Sequence, residues 1–236
     1  MKNLLSKHIV KQSFKENRRL WLIVTVILSL FMAFSSIGGL DDFGLYTFAG
    51  YLKFIGTLGL SLYMVIVGNK LVASEVENGL IGFYLNTPIT RKQIVLSKVA
   101  YYLGSIFATL LALCLYSLIF NIGQKVAFGL FAHIILNYFL VVFAVSGITF
   151  FASCWFNKNS QSLLLGAGLP IAFYFLALFG GSAELLQYFT LYSLFSPDTI
   201  MKGFAATIPH LIILAVLGIA LYSVGIVKFI KKDLPL

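Results

Sequence analysis

The chain has 236 residues, of which 60% are hydrophobic and 11% charged, with a net charge of +9 and a mean hydropathy of +0.96. A soluble domain of this length is nearer half apolar and a quarter charged, so the composition excludes an ordinary soluble protein and indicates that lipid surrounds much of the chain. We expect an all-α integral membrane protein, folded as a single transmembrane domain over residues 1–236.

Six apolar runs are predicted to span the membrane, because each is close to the length of about 20 residues that a membrane-crossing helix needs. A basic N-terminal segment precedes the first run, and we expect no cleavable signal peptide there. Pro170 lies inside the fifth run and is predicted to kink it. In chain order the runs are Leu20–Gly38, Phe54–Ala73, Val99–Phe120, Phe128–Ser153, Leu163–Gly180 and Ile208–Val227.

Small residues recur at four-residue spacing within three of these runs. Such spacing lets helix backbones approach closely in lipid, so it predicts tight packing between helices. The stripes are Thr57 and Ser61 in the second run, Gly104, Ala108 and Ala112 in the third, and Gly168 and Ala172 in the fifth.

The distribution of lysine and arginine predicts the orientation. If both termini are cytoplasmic, only Lys53, Lys125 and Lys202 of the 17 basic residues lie outside and the other 14 lie inside, as the positive-inside rule favours. Topology and anionic lipid then explain the positive charge, so nucleic acid is not an expected partner. We expect a multi-pass protein of a plasma membrane, of bacterial type.

The eight acidic residues all fall in connections or tails between the predicted spans. His133 and His210 lie near span ends and are interpreted as packing residues. We find no zinc motif, no nucleophile turn and no phosphate loop, so we expect no catalytic residue, no metal site and no enzyme activity in this chain. Cys114 and Cys154 are predicted to be small packing residues without a disulfide.

The connection between the second and third predicted spans is the most informative segment. Ser74-x-x-Glu77 and Thr90-x-x-Gln93 both have the pattern of a capping box, which opens a helix. Between them lie five apolar residues, which predict a short surface helix that either docks onto a partner or rests on lipid headgroups. These residues are Leu80, Ile81, Phe83, Tyr84 and Leu85.

The same connection carries a family resemblance. The pattern Glu75-Val-Glu77-Asn-Gly79-Leu-Ile, followed by Leu85-x-x-Pro88-Ile-Thr-Arg91-x-x-Ile94-Val-x-x-Lys98, resembles the permease subunit of type-2 ABC exporters. The resemblance implies a coupling helix at about Glu75–Leu85 that seats in a separate ATP-binding subunit. The docking residues it implies are Glu75, Glu77, Leu80, Ile81, Phe83, Tyr84, Leu85 and Arg91.

The resemblance also implies an assembly and an interfacial helix. Two ATP-binding subunits would pair with two permeases, the second being either another copy of this chain or a homologous permease. ATP and Mg²⁺ would bind in the partner, so no cofactor is expected in this chain. An interfacial helix would occupy residues 1–19, next to the lipid bilayer.

A route for cargo is implied between the two permeases, lined by the second and fifth spans. The candidates carry almost no charge, which suits amphipathic peptides, lipids or hydrophobic drugs, and the resemblance favours peptides. An outer gate is implied in residues 181–207, as a short helix starting with Ser196 as N-cap, Pro197 at the first helical position and then Asp198, although a plain surface loop also fits. The candidate lining residues are Thr57, Ser61, Met64, Gly68 and Tyr174.

Two other functional classes stay open beside an exporter permease. An ion-coupled carrier or channel would require an ionisable group deep in the membrane, and the predicted spans have no acidic residue. A membrane protein with no transport activity, such as an immunity or assembly factor, would require no ATP-hydrolysing partner.

Overall fold

The computed structural model describes residues 5–35, 42–85, 87–120, 122, 126–179 and 190–232, and within these ranges the chain is helical with no β-strand. Two π-helical segments, Leu52–Gly56 and Lys70–Ser74, and a 3₁₀ turn, Leu191–Leu194, accompany the α-helices. The α-helices are α1 (Lys7–Ser35), α2 (Asp42–Tyr51), α3 (Thr57–Asn69), α4 (Glu75–Glu77), α5 (Leu80–Leu85), α6 (Arg91–Phe120), α7 (Phe128–Trp155), α8 (Asn159–Phe179), α9 (Pro197–Met201) and α10 (Phe204–Lys231).

Among the described residues, five helical stretches are long and apolar enough to cross a membrane. They cover the second to sixth predicted spans with two exceptions. Phe120, the last residue of the third predicted span, lies one residue beyond the second stretch, and residue 180 lies outside the described residues. The first predicted span, Leu20–Gly38, falls on α1, but residues 36–38 lie outside the described part of the chain, so a count of six remains a prediction. The five stretches are Gly44–Glu77, Arg91–Ile119, Phe128–Trp155, Asn159–Phe179 and Phe204–Lys231.

The helices extend beyond the apolar runs that predicted them. α6 starts eight residues before the predicted Val99, because the Thr90–Gln93 capping box is formed: the Thr90 N–H donates to Gln93 Oε1 at 2.9 Å, and the Gln93 N–H donates to Thr90 Oγ1 at 3.3 Å. The predicted capping box was therefore confirmed at this helix. Hydropathy detects only the apolar stretch of a helix, whereas capping determines where the backbone begins to coil.

The helix α1 runs without a break from Lys7 to Ser35. It contains no glycine or proline, so no residue favours a boundary at position 19, where the interfacial helix was predicted to give way to the first span. From Lys7 onward that predicted interfacial helix is therefore continuous with the segment after it, and residues 1–4 lie outside the described part.

The segment from α2 to α4 is one continuous helix with two wide turns. At the first, the N–H and the hydroxyl of Thr57 both donate to the carbonyl of Leu52, five residues earlier, which is the spacing of a π-helix. The second π-helical segment, Lys70–Ser74, leads directly into α4, and the backbone at Ser74 is helical, with no side-chain cap. The capping box predicted at Ser74 is therefore wrong, because this residue lies inside a helix.

The core of the molecule lies around α7, which packs against α10, α8 and α3. Aromatic rings fill its contact with α10: the ring of Tyr222 lies 5.3 Å from that of Phe143 and 5.2 Å from that of Phe150. Cys114 and Cys154 are both free thiols.

The glycine stripes chosen from the sequence do not make these close contacts. A Cβ added at Gly104 or Gly168 would meet nothing within 4 Å, whereas one added at Gly147 would lie 3.1 Å from Leu221 and one at Gly225 would lie 3.2 Å from Phe150. Tight packing was thus predicted at the wrong glycines, because spacing alone does not show which helix face meets a neighbour.

Candidate functional site

The candidate site is the turn between α6 and the continuous helix that runs from α2 to α4, which we call the long helix. The site covers residues 75–98. α4 ends at Glu77, and Gly79 has a φ of +71°, a backbone conformation that favours glycine. The N–H of Gly79 donates to the carbonyl of Val76 at 3.1 Å, and α5 follows at once. The predicted Glu75–Leu85 coupling helix is thus divided at Gly79, and only Leu80–Leu85 forms the separate surface helix.

The short helix α5 has one buried and one exposed side. Ile81 is 2% exposed, whereas Leu80 is 43% and Phe83 is 71% exposed. Leu80 and Phe83 are three residues apart and therefore neighbours on one helix face. We call these two residues the α5 apolar pair. The side chain of Leu85 lies outside the described residues.

An ion pair beneath α5 holds the end of the long helix against α6. Lys98 Nζ donates to Glu75 Oε1 at 2.5 Å, and the two side chains are 0% and 9% exposed. The ring of Tyr84 lies 5.7 Å from Lys98 Nζ, and burial raises the pKa of Tyr84 to about 12. Breaking one partner of such a buried pair typically costs about 3–5 kcal/mol, since the other charge stays buried and unpaired.

The second acidic residue of the motif, Glu77, fixes the turn to α8. Glu77 Oε2 accepts a hydrogen bond from the backbone N–H of Asn159, at the first residue of α8, at 2.8 Å. A carboxylate stabilises a helix N-terminus, since it meets the free N–H groups and the positive end of the helix dipole. Asn69 Nδ2 also donates to Asn159 Oδ1, so one asparagine links α8 to two positions of the long helix.

Arg91 ties the start of α6 to the end of α10. Its Nη1 donates to the backbone carbonyl of Lys232 at 2.7 Å. Lys232 Nζ in turn donates to the carbonyls of Cys154 at 3.1 Å and Phe156 at 2.6 Å, at the end of α7. Burial lowers the pKa of Lys232 to about 8.

The predicted docking residues therefore divide into two groups. The first group makes contacts within the chain and positions the turn, and it consists of Glu75, Glu77, Ile81, Tyr84 and Arg91. The second group, Leu80 and Phe83, is exposed and free to meet another molecule. Sequence reasoning missed Asn159 and Lys232. A basic residue just after a helix end and an asparagine at a helix start were the available signals.

Four of the five predicted lining residues of the cargo route share one face of α3, and that face is buried, whereas Tyr174 lies on α8. Ser61 Oγ lies 2.7 Å from Tyr192 Oη, and Gly68 packs against Tyr102 and Thr149. Thr57 and Met64 are also buried, and Tyr174 Oη donates to the carbonyl of Phe54 at 3.3 Å. A route between two copies would be lined by exposed residues, and on α3 those are Leu58, Leu62 and Ile66.

The predicted helix start at the outer gate is formed as α9. Ser196 Oγ accepts a hydrogen bond from the N–H of Thr199 at 3.4 Å, and Pro197 is the first helical residue. Asp198 Oδ1 accepts a hydrogen bond at 3.1 Å from the hydroxyl of Tyr46, on α2. The N-cap prediction was confirmed, whereas residues 181–189 of the predicted segment lie outside the described part of the chain.

Comparison with known proteins adds no assignment, since no family model and no curated protein matches the chain.

Proposed function

We propose that this chain is the membrane-spanning permease subunit of an ATP-driven exporter, and that a separate ATP-hydrolysing subunit docks on the α5 apolar pair. The observation that carries the proposal is an exposed apolar pair on a short, firmly positioned helix outside the long apolar helices. Phe83 is among the most exposed large apolar residues of the described chain. Partner anchors are typically aromatic or large apolar side chains that enter a pocket of the other protein.

The surroundings of α5 support docking over simple contact with lipid headgroups. The Glu75–Lys98 pair and the Glu77 cap fix the turn from both sides, and Tyr84 and Ile81 hold α5 from beneath. A docked subunit could push on such a turn without deforming it. A helix that only rests on headgroups needs no rigid attachment beneath it.

The exposed helix faces support the proposed cargo class. Leu58 and Leu62 on α3 and Phe175 on α8 border a small, mostly apolar cleft. The predicted lining residues Ser61 and Tyr174 line the same cleft. A second permease facing this cleft would complete an apolar route, which suits amphipathic or hydrophobic cargo, with peptides favoured by the resemblance. The proposed setting is a plasma membrane with both termini in the cytoplasm.

The test is co-purification of an ATP-hydrolysing subunit with tagged protein from its native membrane. We expect Phe83→Asp to abolish co-purification and ATPase activity, because a charge would have to enter the apolar contact. Phe128→Asp is the matched control: Phe128 is 66% exposed and is the first residue of α7, about 45 Å from α5 along the length of α6. Equal recovery of the ATPase with both variants would contradict the proposal.

An ion-coupled carrier is the second candidate, favoured by the buried Glu75–Lys98 pair. The pair lies within helices that are long enough to span a membrane, although the sequence placed Glu75 in a connection. A carrier would move cargo into vesicles on a proton or sodium gradient without ATP, and Glu75→Gln would abolish that movement. Uptake that needs ATP and ignores both gradients would exclude this candidate.

A further inference from the structure

We propose that a groove between the N-terminal half of α1 and α6 binds one anionic phospholipid, with the phosphate at Lys7 and Lys11 and an acyl chain along the groove. This inference does not depend on the transport proposal, since it concerns only a membrane protein and its lipid. The groove encloses about 940 Å³, near the upper end of the range for small-molecule sites, about 300–1,000 Å³.

Two sets of hydrogen bonds hold α1 and α6 together, one at each end of the groove. At one end the N–H of Ser6 donates to Ser97 Oγ at 2.8 Å. At the other end Trp21 Nε1 donates to the carbonyl of Ser105 at 3.1 Å and to Thr109 Oγ1 at 2.9 Å. Between these attachments Ile9, Ser13 and Asn17 of α1 are buried, and the groove lies beside this packed face as a space that no side chain of the described residues fills.

The floor of the groove is a stripe of small residues on α6. Ala100, Gly104 and Ala108 recur every four residues, and all three line the groove. A Cβ added at Gly104 would meet nothing within 4 Å, so the gap there is open space. In the membrane such a gap fills with lipid, because an empty space beside apolar side chains loses their dispersion contacts.

The lining changes from charged to apolar along the groove. Lys7 and Lys11 lie at the start of α1, and Val10, Phe14 and Trp21 continue the wall toward the apolar part of the helix. From Lys7 to Trp21 the wall is about 21 Å long, at 1.5 Å per helical residue. An anionic phospholipid has the same arrangement as this lining, with a charged headgroup followed by a long apolar chain.

The charges at the groove mouth lack a partner within the described chain. Lys7 and Lys11 are exposed, and residues four apart on a helix lie about 5–6 Å from each other at Cβ, so the two ammonium groups repel. No ion pair to either lysine is present among the described residues, and the nearby Glu16 accepts a hydrogen bond from Gln12 instead. A phosphate between the lysines would relieve the repulsion, as basic pockets between membrane helices do for lipid headgroups.

The test is native mass spectrometry of delipidated protein in micelles that contain equimolar phosphatidylglycerol and phosphatidylcholine. We expect one retained phosphatidylglycerol per chain. The Lys7→Gln/Lys11→Gln double variant should weaken its binding roughly 30-fold, since each basic residue near the surface contributes about fivefold. Lys15→Gln, which removes an exposed lysine of the same helix outside the groove, should leave retention unchanged.

A second pair of variants tests the cavity itself. Gly104→Phe should fill the groove and abolish retention, whereas Gly104→Ala, which adds one methyl group in open space, should keep the lipid. Both changes remove a glycine from a helix, so they match in their effect on the backbone. Equal retention of phosphatidylcholine, a loss in Lys15→Gln as large as in the double variant, or retention in Gly104→Phe would each overturn the proposal.

Discussion

Two of the glycine-containing helix interfaces in the described part of the chain are built in opposite ways. Between α7 and α10 glycines make close contacts: Gly218 lies directly against the ring of Phe143, and Gly225 lies close to Phe150. Between α1 and α6, Gly104 faces open space, and the helices are held by hydrogen bonds at Ser6 and Trp21. Small residues therefore permit either close approach or a cavity, and the neighbouring large side chains decide which of the two forms.

The largest expected effect is at the filled interface. In Gly218→Ala the new methyl group would overlap the Phe143 ring, so the free energy of unfolding should fall by about 1–3 kcal/mol, the usual cost of overpacking. Unfolding by SDS titration in mixed micelles, followed by circular dichroism, measures this change. A variant as stable as the parent would show that the α7–α10 interface has room for a methyl group.

The next effect concerns the hydrogen bonds that join α1 to α6 at one end of the groove. Trp21→Phe keeps an aromatic ring but removes the indole donor to Ser105 and Thr109, so we expect a loss of about 1 kcal/mol in unfolding free energy. Trp155→Phe is the matched control, since Trp155 lies at the end of α7 and its ring contacts Lys228 and Phe151, with no hydrogen bond from its indole N–H within the described part of the chain. Equal losses in both variants would mean that the indole hydrogen bonds do not secure α1.

Gly104→Ala should have the opposite sign to Gly218→Ala. Its methyl group meets no atom within 4 Å, so the helix propensity of alanine should raise the unfolding free energy by about 0.5–1 kcal/mol. The same micelle titration compares the two variants directly. Destabilisation by Gly104→Ala would indicate that α1 and α6 touch at this position in the membrane.

A different kind of effect is a pH dependence at the end of the α7–α10 interface. Burial lowers the pKa of Lys232 from its ordinary 10.5 to about 8, so between these values the unfolded chain binds a proton that the folded chain has released. The unfolding free energy should therefore rise with pH from about 8 to 10.5. Lys232→Met should flatten this rise, and an equal slope in both proteins would exclude Lys232 as its source.

The sequence predicted the positions of the helices better than it predicted the residues that they contact. The span predicted at Phe128–Ser153 corresponds to α7, and the Thr90–Gln93 and Ser196 caps formed, because caps and apolar runs are local signals. Ser74 failed as a cap because the apolar helix before it continues through a π-helical segment. No local sequence pattern predicts that a helix continues through a π-helical segment.

The sequence predicted which segment carries the candidate site but not the contacts that its residues make. The exposed pair Leu80 and Phe83 lay within the predicted docking segment, whereas Glu75 is buried by its pairing with Lys98, 23 residues later. Glu77 likewise finds its partner 82 residues away, at Asn159. Contacts at such separations depend on how helices pack, which a single sequence does not reveal.

The helix from Asp42 to Glu77 is continuous, so a tilt of this helix moves both of its ends. Its 34-residue portion from Gly44 is about 50 Å long, so a tilt of about 5° displaces one end by about 4 Å relative to the other. One end carries the turn to α5, and the other carries Tyr46, which is hydrogen-bonded to Asp198 at the start of α9. A rigid rotation of this one helix would therefore shift both candidate sites together, whereas a bend at either π-helical segment would uncouple them.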